Sequence, residues 1–211
     1  MHLPLKLKTI TSKTEFKLKE KGSLFLSQAI PINSEEEAQE IITQIRKKFY
    51  DATHNCYAYK LSNGKTKYSD DGEPNGTAGV RILNSINHFD LVDIIVIVTR
   101  YFGGVKLGVG PLGKAYADCS MECLKIVQIV TKFLYSELII SFDFELSNFV
   151  HRILSRYGAK IHETIYLDKP QIRCFIEANI VKKVIDDLIE SSHNKVICKV
   201  TNDTKYFDLE N

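Results

Sequence analysis

At 211 residues the chain is long enough for one large domain or two small ones. Its 44% hydrophobic and 26% charged residues are those of an ordinary soluble globular protein. A net charge of +2 excludes a generally basic chain, and residues 1–131, with 17 Lys/Arg against 14 Asp/Glu, differ little from 132–211, with 11 against 12. Any anion site therefore has to be a local cluster.

In chain order, the start MHLPLKLK lacks the apolar stretch of a signal peptide. Residues 14–32 then alternate in polarity around Lys21-Gly22-Ser23, the pattern of a β-hairpin with Phe16 and Leu18 on one face. Ser34 and Glu37 form a capping box that opens a helix. Glu35, Glu36 and Glu37 suit its positive end, and Arg46, Lys47 and Lys48 its negative end. Ala38, Ile41, Ile42, Ile45 and Phe49 make its buried stripe. A strand is expected over 56–61, a turn at Asn63-Gly64, and a short helix over 77–87 that buries Val80, Leu83 and Ile86. Residues 91–99 read as a strand buried on both faces. Their apolar run 94–98 is far too short to span a bilayer. Pro111 suits the first turn of the next helix, whose inner face is Leu112, Ala115, Tyr116, Cys119, Cys123 and Ile126.

Beyond 132 the pattern changes. A strand over 133–144 leads to a helix with Leu146, Phe149, Val150, Ile153 and Leu154 on one face, ended by Gly158. Strands follow over 160–167 and 171–179 around Lys169-Pro170. Val181, Val184, Ile185 and Leu188 define a last helix, and 195–207 a last strand. The order is βαββαβ, the ferredoxin-like split pattern. The reading is an α+β protein of two domains, 1–131 and 132–211.

Eight of the 11 glycines fall between 72 and 113, where their entropic cost requires a reason in turns or close approach. Gly108-Val109-Gly110-Pro111-Leu112-Gly113 matches G-x-G-x-x-G. It does not adjoin its strand as a dinucleotide fingerprint does, and no second strand with an acidic residue follows. What survives is a glycine-rich loop (Gly103, Gly104, Gly108, Gly110) entering a helix N-terminus. With Arg100, Lys106 and Lys114 nearby, this is a candidate phosphate site on a nucleotide or a nucleic-acid backbone; the alternative is tight loop packing alone. Asp70, Asp71 and Glu73 have the hard oxygens for Mg²⁺ or acid–base work, but are equally turn formers or partners for Arg100.

His54 and Cys56 point the same way on a strand, which permits a nucleophilic pair. A hydrogen-bonded structural histidine beside a buried thiol is the plainer reading. The five cysteines are odd in number with no CxxC, so a disulfide framework and a zinc knuckle are both unsupported. Buried thiols in a reducing cytoplasm are expected. Phe102 and Tyr116 read as core. Tyr57, Tyr59 and Tyr101 read either as core or as stacking platforms for bases.

The segments HNCYAY at 54–59, SDDGEPNGTAG at 69–79 and VTRYFGGVKLG at 98–108 resemble the signature of the IMPACT/YigZ family. The resemblance covers most of 14–125, and the tail is similar to the second domain of the bacterial members. It implies a first domain like ribosomal protein S5 domain 2 and a second like the late domains of elongation factor G, both of which contact RNA on the ribosome. Eukaryotic members restrain a kinase that controls translation initiation, partly through an extra N-terminal domain. The shared motif positions are His54, Cys56, Asp70, Asp71, Gly72, Glu73, Pro74, Gly76, Thr77, Arg100, Tyr101, Phe102, Gly103, Gly104 and Gly108. Arg81 stands where the family usually has proline, and Leu24 where it usually has a basic or polar residue. The expected function is a non-enzymatic, RNA- or ribosome-associated modulator of translation in the cytoplasm. In it Arg100, Lys106 and Lys114 would take phosphate, and Asp70, Asp71 and Glu73 would orient them or hold Mg²⁺. The alternatives are an enzyme that binds a nucleotide or phosphorylated small molecule at the glycine-rich loop, and a protein-binding adaptor that docks through the C-terminal sheet.

Overall fold

A computed structural model describes residues 3–166 and 168–208. The elements run β1 (Lys6–Ile10), β2 (Thr14–Glu20), β3 (Ser23–Pro31), α1 (Glu35–Lys48), β4 (His54–Lys60), β5 (Thr66–Ser69), α2 (Gly79–His88), β6 (Ile94–Tyr101) and α3 (Val109–Lys125). Then come β7 (Ile129–Ser141), a 3-10 turn (Phe144–Leu146), α4 (Ser147–Arg156), β8 (Lys160–Ile165), β9 (Gln171–Glu177), α5 (Val181–Ser191) and β10 (Ile197–Asp208). The predicted end of the strand over 160–167 falls on Leu167, outside the described residues. Two compact units result: one is Leu7–Thr131, the other the chain from Lys132 on together with Leu3–Lys6. Residues 3–6 thus go with the second unit rather than with the first.

In the first unit the sheet order is β2-β3-β6-β4-β5. The hairpin closes because Lys21 (φ 45°) and Gly22 (φ 81°) both take left-handed backbone, the signature of a two-residue turn that matches strand twist. Helix α1 opens with half of the expected capping box: the Glu37 N–H donates to Ser34 Oγ at 3.2 Å, while the Glu37 carboxylate reaches one residue past the cap and accepts from the Asn33 N–H at 2.7 Å. Ala38, Ile42 and Ile45 are buried against Tyr57, Tyr59, Ile95 and Ile97, with Ile41 and Phe49 partly buried. Val96 and Val98 face α2 and α3 on the other side. Strand β6 therefore has covered faces on both sides, which is why its apolar run does not alternate.

Helix α2 is rotated from the expected face. Its buried residues are Gly79, Ile82, Ser85 and Ile86, while Val80 and Leu83 are half-buried. The cause is the seat of Gly79: a Cβ there would lie 2.8 Å from Ser69 backbone atoms, so the bare side of the glycine is turned inward. Helix α3 buries Leu112, Ala115, Tyr116, Cys119 and Cys123 as expected. Ile126 does not follow: it is the residue after the last turn and is 60% exposed.

The second unit is ferredoxin-like. Strand β7 lies between β9 and β10, and β8 lies outside β9. Leu138, Ile140, Ile172, Cys174 and Ile176 face Val150, Leu154, Val184 and Leu188 of α4 and α5. The whole is α+β, a mixed unit with a five-stranded sheet followed by a ferredoxin-like one. No helix among the described residues is long and apolar enough to cross a membrane.

Candidate functional site

The acidic loop between β5 and α2 is held from within by its first carboxylate. Asp70 Oδ1 accepts from the N–H groups of Ala78 (2.9 Å) and Gly79 (2.8 Å), and Oδ2 from that of Gly76 (2.9 Å). It caps α2 from eight and nine residues upstream, in place of a side chain at the helix start. Burial opposes ionisation of this carboxyl, but the three N–H donors outweigh it and hold its pKa below the ordinary value. Asp71, at φ 45°, turns the other way. It pairs with Arg46 of α1, and its Oδ2 accepts from the Asn55 N–H at 2.7 Å. The backbone oxygen of Asp71 lies 2.8 Å from His54 Nδ1; a carbonyl can only accept, so Nδ1 carries the proton.

Glu73 points inward, its side chain 3% exposed. Oε1 accepts from Arg100 Nη1 at 2.7 Å and from the Tyr116 hydroxyl at 2.7 Å, while Oε2 faces His54 Nε2 at 3.7 Å. Arg100, 5% exposed, also donates through Nη2 to Ser23 Oγ at 3.4 Å, and its buried Nε has no partner among the described residues. The guanidinium lies between two rings, 5.4 Å from the Phe25 centroid and 5.6 Å from that of Phe102. Above this layer opens a cavity of about 490 Å³, lined by His54, Glu73, Arg100, Phe102, Lys106 and Val109 among others. Helix α3 starts at its wall. Gly108 (φ 82°) precedes the helix and Pro111 has no N–H, so the first turn offers the N–H groups of Val109 and Gly110.

The family model for the Impact N-terminal domain matches residues 21–124. The chain is 31% identical over 189 residues to the IMPACT family member YvyE of Bacillus subtilis, covering 89% of this chain and 87% of that one. The chain belongs to the IMPACT family. It is also 28% identical over 150 residues to the IMPACT family member YigZ of Escherichia coli, with 69% and 74% covered. To the Protein IMPACT homolog of Dictyostelium discoideum it is 40% identical over 95 residues, 27% of that protein's length. A solved structure described only as a hypothetical protein superimposes with a TM-score of 0.68 at 23% identity, covering 95% of this chain and 100% of that one, which shows a shared fold.

The IMPACT-family motif residues thus meet in one layer: His54, Asp71, Glu73, Arg100 and Phe102 lie together, with Cys56 beneath. Several expectations change. Lys114 does not join Arg100. It pairs with Asp118 and, with Gly110, lines a separate depression beside Arg81. The three carboxylates face different donors, and among the described residues no three His, Cys, Asp or Glu side chains are placed to hold a metal ion. Phe102 is not core but 45% exposed. Tyr57 and Tyr59 are buried, and the Tyr101 hydroxyl donates to Asp51 at 3.0 Å. The Cys56 thiol lies 3.0 Å from the Asp70 carbonyl oxygen and 3.4 Å from the Tyr116 hydroxyl. Burial above all pushes its pKa up, so no thiolate is at hand for nucleophilic attack. Thr77 is buried and donates to the Pro74 carbonyl at 2.6 Å, a loop clasp.

The glycines divide by role. Gly104 and Gly108 have left-handed backbone. Gly103 is where two main chains touch: a Cβ there would lie 1.9 Å from the Gly22 carbonyl carbon. Gly103→Ala is expected to destabilise the first unit by about 1–3 kcal/mol through overpacking, measured as a lowered urea midpoint. An unchanged midpoint would show that the hairpin turn yields freely.

Three contributors escaped the sequence reading. Ser23 accepts from the Gly103 N–H at 3.2 Å, Thr53 Oγ1 accepts from the Phe102 N–H at 3.0 Å, and Tyr116 is a partner of Glu73 rather than only core. The polar tip of a fully buried tyrosine needs a partner, and that was the available signal for Tyr116.

Proposed function

We propose that the chain is a non-enzymatic RNA- or ribosome-associated protein that modulates translation, acting in the cytoplasm. The observation that carries this reading is the rim of the cavity. Phe102 rests one face on the Arg100 guanidinium and is 45% exposed, and Lys106 and the start of α3 line the same opening. A base stacks on such a ring while a phosphate meets the ammonium and the helix N–H groups. The buried Arg100–Glu73 pair stiffens the floor instead of touching phosphate. The family resemblance supports the link to translation.

The test is fluorescence anisotropy with a labelled single-stranded RNA over a salt series. Lys106→Ala should flatten the log–log salt slope by about 0.7, one phosphate contact on a single strand. Phe102→Ala should cost about 1–3 kcal/mol. Salt-insensitive binding, or full affinity in the double variant, would overturn the reading.

One observation favours an enzyme that acts on a phosphorylated small molecule: His54, with Nδ1 protonated and Nε2 turned to Glu73, is a potential proton carrier at the cavity wall. Stabilisation by one nucleotide with Mg²⁺ in a thermal-shift screen, lost in His54→Ala, would support that reading over RNA binding.

A further inference from the structure

The second sheet has two unlike faces. Side chains alternate along a strand, so the residues between the core positions of β7 and β9 point away from α4 and α5. On that helix-free side, among the described residues, Tyr135 of β7 and Phe175 of β9 sit on the two central strands, and Phe207 comes from β10. The Tyr135 and Phe207 rings are 5.1 Å apart at 75°, and Phe175 and Phe207 5.5 Å apart at 55°. Two ammonium groups lie over this cluster: Lys160, 5.2 Å from the Phe207 centroid and 5.9 Å from that of Tyr135, and Lys205, 5.0 Å from that of Phe175.

Two of the acids on this face are already paired. Buried Glu137 accepts from Arg173 and Thr201 and lies 2.9 Å from His162 Nε2; Arg173 also pairs with Glu163. Glu177 lies at the margin beside Tyr135. Among the described residues no carboxylate pairs with Lys160 or Lys205. A cluster of rings under ammonium groups without acidic partners fits a ligand that carries both planar π surfaces and anions. A protein partner would have to desolvate those ammonium groups for no return, and lysine is depleted in protein interfaces.

We propose that this sheet face binds a single strand of RNA: one base stacks on Phe207, half-buried and the most open ring of the three, and Lys160 and Lys205 leave the rings to meet the flanking phosphates. The choice of RNA over DNA rests on the function proposed above; the surface itself is independent of the Phe102–Lys106 cavity.

The test uses the full chain and a labelled oligouridine that carries 4-thiouridine, with anisotropy and photo-cross-link mapping. Phe207→Leu keeps apolar bulk without a π face and should weaken binding about tenfold. Lys160→Gln with Lys205→Gln, a surface change that leaves the core intact, should flatten the salt slope by about 1.4. Cross-links should map to β7 and β10. If the oligouridine binds and only Phe102→Ala with Lys106→Ala weakens it, the sheet proposal falls and the cavity reading stands. If only the sheet variants weaken it, the reverse holds. If the unsubstituted chain does not bind the oligouridine, both fall. A protein partner whose binding the sheet variants abolish, with oligouridine binding unchanged, would also overturn the proposal.

Discussion

Glu73→Ala is expected to lower the stability of the first unit by about 3–5 kcal/mol, because it leaves the Arg100 charge buried and uncompensated. Arg100 is 5% exposed, and among the described residues its Nε is already unpartnered and its remaining donor contact is the 3.4 Å bond to Ser23. The Tyr116 hydroxyl, 2.7 Å from the same carboxylate oxygen, loses its acceptor as well. The measurement is a denaturant midpoint at constant slope. Replacing both partners by apolar residues, Glu73→Leu with Arg100→Met, should recover most of the loss, since paired removal leaves no charge to desolvate. A single variant within 1 kcal/mol of the unsubstituted chain would mean, on the scale for surface pairs, that Arg100 finds another anion or water. The same double variant separates the stiffening role of the pair from ligand contact: a stable double variant that retains RNA affinity shows that the pair is scaffold.

Asp70→Ala is expected to cost about 2–4 kcal/mol through the loss of three charge-assisted bonds to the start of α2. The carboxyl titrates below its unfolded value of 3.8 in the folded chain. Its contribution is therefore complete above pH 3.8 and is lost as the pH falls through the lower folded value. Asp70→Asn removes that acid limb. Its stability gap to the unsubstituted chain should be constant near neutrality and narrow only below the unfolded value, read from urea melts across the acid range. A gap that persists undiminished into that range would show that the bonds do not depend on the charge. Asp70 lies in the motif that also carries Asp71 and Glu73, yet its work is entirely local to the loop. An acidic run can thus consist of three residues with three different employments.

Much of the architecture was legible because its causes are local. The Lys21-Gly22 turn, the Ser34–Glu37 box and the unbroken apolar run of β6 each announce themselves through backbone preference or periodicity, and the βαββαβ order follows from the same cues. The motif residues His54, Glu73, Arg100 and Phe102 were legible as a set through the family resemblance. Their employment was not. Phe102 reads as core by its hydrophobicity, but β6 ends at Tyr101 and the ring settles on the guanidinium face, half in water. Lys114 reads as a neighbour of Lys106, but it lies five residues past the start of α3. It is turned about 140° around the helix from Val109, towards Asp118 and Arg81.

What the amino-acid order determined by itself was the inventory: two α+β units, their five helices and most of their strands (β1 and β5, short and without a periodic apolar pattern of their own, were not among them), and the dense glycine–acid–base stretch as the place to look. The tertiary structure decided the pairings. Glu73 meets Arg100 across 27 residues and Tyr116 across 43, and Gly103 owes its missing side chain to the turn at Gly22 far upstream. Periodicity reports which face of an element avoids water. It carries no information about which two faces will meet, and a buried charge or a bare glycine acquires its meaning only from the face it meets.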